Sequence, residues 1–456
     1  MYSFLTLAFP PEITILDQDN QLILQSPNRS LTLELHQPGW RTALEQLKNS
    51  GITVSKLREL ILATEGASEL VKFNLYLQKL INLGWLTQAV LPLAKAITMI
   101  DSFQFQDQII PTQALFTLSR FGYLHQVGGE MLLESPVSPA KIILLDWRAT
   151  ALISQLSQPQ NCTTLSLAIP GITETLAQEF LSLLLTTQML MSEPEKPPLV
   201  FWEFHDLLFH SRSRLGKHNH PMGATYRFQD KLEPLPALKP SGVEQKINLF
   251  TPNLDSLLNT DISLSQALES RESLRKYGET PITLEELGEF LYRTARVKEI
   301  IYTELGELSR RIYPGGGKIY ELEIYPVINT CQNLESGVYH YNPGDHQLAK
   351  ITTRNDQIET LLTSAWLASG QQDKPQILLI ITARFGRIYW KYQGFVYALI
   401  LKHVGVLYQN FYLVATAMNL APCALGVGNG ELFAQVTEID YYQESSVGEF
   451  MLGSNT

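Results

Sequence analysis

Three short stretches in the C-terminal half of this 456-residue chain hold residue types whose spacing suits ligand chemistry. RESLR sets Arg271 and Arg275 four residues apart with Ser273 between them, and on a helix that spacing puts both guanidinium forks on one face. Two forks and a hydroxyl suit a phosphate monoester. PGGGK, running Pro314, Gly315, Gly316, Gly317 and Lys318, is a glycine-rich turn just before a strand, where missing side chains let the backbone approach a planar or phosphorylated ligand. It lacks the spacing of a nucleotide-binding P-loop and the hydroxyl residue after its Lys. ALGVGNG, from Ala424 to Gly430, offers free backbone amides in the same manner. Three such sites together point to one flat, phosphate-tailed cofactor, and no GxGxxG fingerprint for a nicotinamide accompanies them.

The elements that must position these stretches mix helices and strands without regular alternation, which sets the class as α+β. A helix over ISLSQALESRESLRKYG leads into TPITLEELGEFLYRTARV, where Thr283 followed by Glu286 forms a capping box. Strands are expected at IYELEIYPVI and GVYHY, a helix around QIETLLTSAWLA, and a strand pair at ILLII and GRIYWKY. A helix from Gly394 to Leu420 follows, apolar nearly all round, and then a loop at APCALGVGNG. A domain of about 200 residues has little interior for such a helix, so burial against a second copy predicts a homodimer. Lys402, His403, Gln409 and Asn410 interrupt the run, which argues for a buried helix over a membrane span.

Upstream, residues 13 to 90 read as strands at ITIL, QLIL and LTLEL, with a turn at Ser26-Pro27-Asn28 and three helical patterns after them. Residues 114 to 192 repeat that winged-helix-like order, and WRTALEQL from Trp40 returns as WRATALISQL from Trp147. Two small domains, 1–100 and 101–195, are expected, each able to expose a strand edge to an extended peptide. Residues 196–246 are rich in Pro, His and Arg and read as a linker or belt, and 247–456 forms the third domain. His205, His210, His218 and His220 match no ligand spacing, so no metal is expected.

A net charge of -10 and a pI near 5.5 exclude a broad basic surface for nucleic acid. Cys162, Cys331 and Cys423 lie far apart, which fits reduced thiols in a cytoplasm. The first twelve residues, MYSFLTLAFPPE, lack a basic leader, so neither a secretory signal nor a membrane partner is expected.

The combination resembles the flavin-dependent nitroreductase superfamily, and within it the SagB/McbC/ThcOx type of azoline oxidase, close to the cyanobactin oxidases. The superfamily likeness covers about 200 C-terminal residues. It implies FMN as cofactor, with Arg271, Ser273 and Arg275 on the phosphate and ribityl chain, although Glu272 stands where the family often has a basic residue. The helix pattern Gly405, Gln409, Asn410, Ala415 and the loop Cys423-x-x-Gly426 match the later superfamily motif, and Leu425 and Gly426 would face the reactive edge of the isoalloxazine. The narrower likeness lies in FHDLLFHSRSR, in YPGGGKIYELEIYPVI with GVYHYNPGDHQL, and in Lys391-Tyr392, the pair such oxidases require for activity. It implies dehydrogenation of peptide thiazolines or oxazolines to azoles, with oxygen as acceptor and one of the pair as base. The partners it implies are a heterocyclised precursor peptide held by clamp modules of the N-terminal type, and a cyclodehydratase as candidate co-worker. An NAD(P)H-dependent nitro- or flavin reductase and a non-catalytic peptide scaffold are the alternatives.

Overall fold

A computed structural model describes residues 6–9, 13–18, 21–25, 30–33, 38–49, 51–83, 85–100, 110–240, 242, 245–353 and 355–456. The expected turn at Ser26-Pro27-Asn28 lies outside them. The chain forms two compact units that divide between His220 and Pro221.

The first unit carries a seven-stranded antiparallel sheet in the order Ile52–Thr53, Thr6–Ala8, Thr87–Val90, Ala94–Thr98, Ala140–Leu144, Glu130–Glu134, Tyr123–Val127. Helices Pro38–Asn49, Val54–Glu65 and Ala67–Asn82 serve its first half, and Trp147–Gln155, Cys162–Ala168 and Glu174–Thr186 its second. The sheet is continuous across the boundary expected near residue 100, while two separate apolar cores lie on either side of it. The repeated Trp is used differently in each half. Trp40 is buried and meets Phe73 and Tyr76 edge-on, with centroids 5.2 and 5.4 Å away. Trp147 is 66% exposed, because its helix starts there, capped by Asp146, and the first turn faces solvent.

The second unit is built on a seven-stranded antiparallel sheet: Lys246–Asn248, Gln347–Thr353, Gly337–Asn342, Leu322–Ile328, Ile377–Arg384, Glu444–Ser454, Leu420–Leu425. Its two central strands, Leu322–Ile328 and Ile377–Arg384, are buried along their whole length. Side chains alternate across a strand, so each strand must feed two cores. Ile324, Ile328, Ile377, Leu379 and Ile381 pack with Ile400, Leu407 and Phe411 of the long helix Val396–Ala417. Tyr325, Val327, Leu378 and Ile380 face the other way, onto Ile358, Leu361 and Leu362 of helix Asp356–Ala368. Helices and strands mixed in this way are the α+β class expected.

The capping box of helix Leu284–Ala295 forms as expected: Thr283 Oγ1 accepts from the Glu286 N–H at 3.1 Å, and Glu286 Oε2 accepts from the Thr283 N–H at 2.8 Å. One local expectation fails. GRIYWKY is not a strand but a short helix, Phe385–Tyr389, followed by the strand Tyr392–Gln393. The helical turn lets the Arg387 guanidinium donate to three carbonyls at once, which outweighs the alternating pattern. The long helix is not covered on every side within one chain, since Tyr397, Leu401, Gly405 and Gln409 form an exposed stripe at intervals of four.

The proline-rich segment after residue 220 is fastened to the second unit. Leu235, Pro236 and Ala237 give their carbonyls to Arg387, Arg384 and Arg311. Lys239 bonds Tyr325 Oη and Glu444 Oε2 at 2.7 and 2.6 Å. Buried guanidiniums need such acceptors, and residues 235–237, which lie in no strand or helix, have carbonyls to give.

Candidate active site

RESLR is not helical. Its helix, Leu264–Ser270, stops at Arg271, whose backbone is extended, and the Leu274 N–H donates to the Pro422 carbonyl at 2.9 Å. The segment therefore runs along the outermost strand, Leu420–Leu425, whose free edge offers backbone acceptors to a passing chain. In an extended chain residues i, i+2 and i+4 share a face, so Arg271, Ser273 and Arg275 stay together, while Glu272 and Lys276 are exposed. The Arg271 guanidinium lies 5.1 Å from the Tyr412 ring centroid, and Ser273 Oγ is 2.8 Å from Tyr412 Oη. The same phenol accepts from the Ala424 N–H at 2.8 Å, which ties RESLR to the start of ALGVGNG. Arg275 reaches the Cys423 thiol; burial raises that thiol's pKa and the guanidinium pulls it back. Arg275 Nε is buried and has no partner among the described residues.

ALGVGNG is only partly a loop. Ala424 and Leu425 end the strand Leu420–Leu425, in register with Phe450 and Glu449. Leu425 is buried, whereas Gly426 is exposed and a Cβ there would meet nothing within 4 Å. Asn410 is committed elsewhere, its Nδ2 donating to the Thr294 carbonyl at the end of helix Leu284–Ala295. Gln409 lies on the exposed stripe.

PGGGK is packed by the chain's own side chains. A Cβ on Gly315 would sit 2.8 Å from the Tyr320 ring, one on Gly316 3.0 Å from Leu399 and 3.2 Å from His403 Nε2, and one on Gly317 2.8 Å from Lys391 Nζ and 2.2 Å from Tyr392 Oη. Gly317 and Lys318 are both left-handed, with φ of 61° and 60°, so the turn is tight enough to admit that pair. The Gly316 N–H donates to His403 Nε2 at 2.8 Å, and His403 Nδ1 lies 2.7 Å from Glu321 Oε1. A backbone N–H can only donate, so Nε2 carries the lone pair and Nδ1 the proton that goes to Glu321. Sequence reading passed over both residues, taking His403 as a polar interruption and Glu321 as part of a strand.

Lys391 and Tyr392 stand at this turn. Lys391 Nζ donates to the Gly317 carbonyl at 3.5 Å and lies 5.3 Å from the Tyr392 ring centroid and 5.9 Å from that of Tyr226. Tyr226, which no motif marked, comes from the belt: Gly223–Ala224 pairs with Tyr392–Gln393, and the Tyr226 N–H donates to the Lys391 carbonyl. Below the pair lies a buried ion network. Burial pushes the Glu323 carboxyl up, but the His340 hydrogen bond and the charges of His340, Arg311 and Arg384 outweigh it and hold the pKa at about 2. Burial brings the Arg387 guanidinium down to about 10.

Two clusters thus sit on one helix, at His403 and at Tyr412, nine residues and about 14 Å apart at 1.5 Å per residue. One holds Pro314 to Lys318 with Lys391 and Tyr392; the other holds Arg271, Ser273 and Arg275 with Ala424. An unpartnered buried guanidinium nitrogen, a second guanidinium and an open glycine at a strand end are what a phosphate-tailed flat cofactor needs.

Matches to known protein families fall in both compact units. Residues 268–454 match the model of the nitroreductase family, 1–107 that of the ThcOx helix-turn-helix domain, and 116–219 that of the cyanobactin oxidase ThcOx. A protein of Methanocaldococcus jannaschii named as a nitroreductase is 30% identical over 184 residues, which are 40% of this chain and 87% of that one. The trifolitoxin-processing protein TfxB of Rhizobium leguminosarum bv. trifolii is 25% identical over 164 residues, 35% of this chain and 44% of its own length. Solved structures with a related shape include a nitroreductase of Ralstonia eutropha, at 18% identity and a TM-score of 0.38 over 52% of this chain and 99% of that one. Another is the E. coli microcin synthetase McbBCD complex with truncated pro-MccB17 bound, at 20% and 0.34 over 55% and 86%. The chain is a nitroreductase-superfamily oxidoreductase and belongs within it to the cyanobactin oxidase, ThcOx, type.

Proposed function

We propose that the protein is an FMN-dependent azoline oxidase, which dehydrogenates thiazolines or oxazolines of a ribosomally made, heterocyclised peptide to aromatic azoles with oxygen as final acceptor. The observation that carries this reading is the placing of Lys391 and Tyr392 against the backbone of Gly317, in a chain of the cyanobactin oxidase type. Arg271, Ser273 and Arg275 are the residues assigned to the FMN phosphate, with Leu425 and Gly426 at its ring. Bound there, FMN would supply the hydride acceptor.

The reaction removes a proton from the ring's α-carbon and a hydride from the neighbouring carbon, so the protein's part is a base and a fixed geometry. Lys391 Nζ donates to a carbonyl and lies over two phenol rings, contacts that suit a cation. One of Lys391 and Tyr392 is assigned as the base and the other as the group that positions it beside the ring. The Glu321–His403 pair holds the Gly316 N–H and with it the turn that seats both. We further assign the exposed stripe Tyr397, Leu401, Gly405 and Gln409 to contact with a second copy, the N-terminal unit to the precursor peptide, and the cytoplasm to the whole.

The test is anaerobic. A thiazoline peptide added to the yellow protein is expected to bleach the oxidised flavin and leave a product lighter by two hydrogens. Bleaching by NADPH alone would replace this reading with that of a nitro- or flavin reductase, and a protein that takes up no FMN would end both.

A further inference from the structure

Beside Lys391 the second unit forms a half-open cavity of about 350 Å³, and its walls come from separate parts of the chain. The belt supplies Tyr226 and Pro234, the hairpin Val297–Thr303/Gly306–Arg311 supplies Leu305 and Leu308, and Ile319 and Trp390 close the floor. Arg387 joins the three segments. Its Nε donates to the Ile319 carbonyl, Nη1 to that of Leu235 and Nη2 to that of Glu307, at 2.6, 2.6 and 2.9 Å. The Trp390 indole donates to the Leu232 carbonyl at 2.7 Å, and the Tyr226 ring meets Trp390 edge-on at 5.7 Å. This hollow is therefore built and held open by hydrogen bonds within its own walls, with its guanidinium committed to carbonyls. Its other polar groups are Thr303 and Glu304, exposed beside Leu305, together with Lys391, the Tyr226 hydroxyl and Glu307, whose carboxylate accepts from the Ala237 N–H.

We infer that this cavity is a specificity pocket for an apolar or aromatic side chain of the peptide residue next to the reacting ring. The inference rests on the proposed reaction, because it is Lys391 that joins the pocket to the chemistry. Three observations fix the occupant. The volume is at the small end of ligand clefts, about 300–1,000 Å³, which suits one side chain and excludes a folded peptide. Ile319, Leu308, Trp390 and the Tyr226 ring make most of the lining apolar, and the Trp390 indole and the Arg387 guanidinium are already committed to carbonyls. Lys391 lines the same wall, so a ring presented to the Lys391-Tyr392 pair brings its immediate neighbour to the pocket mouth.

The belt acquires a role by this account. It contributes no reacting group, yet it forms one wall of the pocket and carries Tyr226, whose backbone is left-handed at φ 48°. A non-glycine residue held there is strained, and the strand pairing with Tyr392–Gln393 fixes it.

The experiment compares two synthetic peptides, each with one thiazoline, that differ only in having Phe or Gly next to it. For the full-length FMN-loaded protein, kcat/KM is expected to favour the Phe peptide by roughly tenfold or more. Leu305→Trp, a change at an exposed rim position, fills the pocket and should bring the ratio near one by lowering kcat/KM for the Phe peptide. A wild-type ratio near one, or a ratio that L305W leaves unchanged, overturns the pocket. Quenching of Trp390 fluorescence on peptide addition, checked against W390F, reads occupancy without turnover. Quenching by the Phe peptide in a protein that oxidises neither would keep the pocket and overturn the reaction; turnover of both without quenching would do the reverse.

Discussion

The two clusters along the helix Val396–Ala417 are built by opposite means. At His403 the chain buries charge: Glu321 and Glu323 are at most 1% exposed, with His340, Arg311, Arg384 and Arg387 packed around them. At Tyr412 the ties are neutral, one phenol linking the Ser273 hydroxyl to the Ala424 amide, and the two cations beside it are half-buried with donors to spare. A buried ion network is costly to rearrange even though Glu321 Oε2 and Arg311 Nε find no partner in it, while a half-buried cationic edge is open to an anion. The contrast supports the proposed roles, geometry for the first cluster and cofactor affinity for the second.

Breaking the first cluster at its reacting pair should have the largest effect. Lys391→Ala is expected to lower kcat by about 10²–10⁴-fold with bound flavin unchanged, checked by steady-state turnover against flavin absorbance. If flavin were lost in step with activity, the two clusters would not be separate. Breaking the second cluster should do the converse. Arg275→Ala should weaken FMN binding by about 10–100-fold, as loss of one charged hydrogen bond does, with turnover per bound flavin retained. Titration of the apoprotein followed by flavin fluorescence reads this directly.

The buried network also sets an acid limit. The Glu323 pKa is lowered from 4.5 to about 2 on folding, so its contribution to stability is present above pH 4.5 and lost as the pH falls from 4.5 toward about 2. Urea midpoints measured down that range should fall more steeply for the wild type than for Glu323→Gln. The finest distinction concerns His403. His403→Ala leaves the Gly316 N–H without its acceptor and should cost about tenfold in kcat, whereas His403→Gln supplies both an acceptor and a donor and should recover most of it. Equal loss in both variants would mean that the imidazole itself, rather than the hydrogen bond it accepts, is required.

Much of this was readable from residue order. Thr283 with Glu286 announced a helix start, and ILLII a strand, whose unbroken apolar run fits its burial on both faces. Other features were hidden because they depend on partners remote in sequence. RESLR keeps its two arginines on one face whether wound as a helix or extended, and only the extended form brings Ser273 to that face; the free edge at Pro422 selects it. The glycines of PGGGK looked like room for a ligand and are filled by Tyr320, Leu399, His403, Lys391 and Tyr392.

The sequence by itself determined the class of fold, the repeated N-terminal pattern and the short list of residues fit for chemistry, because periodicity, caps and residue type are local properties. Only the tertiary structure decided which of them meet. The Glu321–His403 bond spans 82 residues, Ser273 and Tyr412 are 139 apart, and Arg387 reaches 152 residues back to the belt. Such pairings are set by the packing of the sheet against its helix, which no short stretch of sequence specifies.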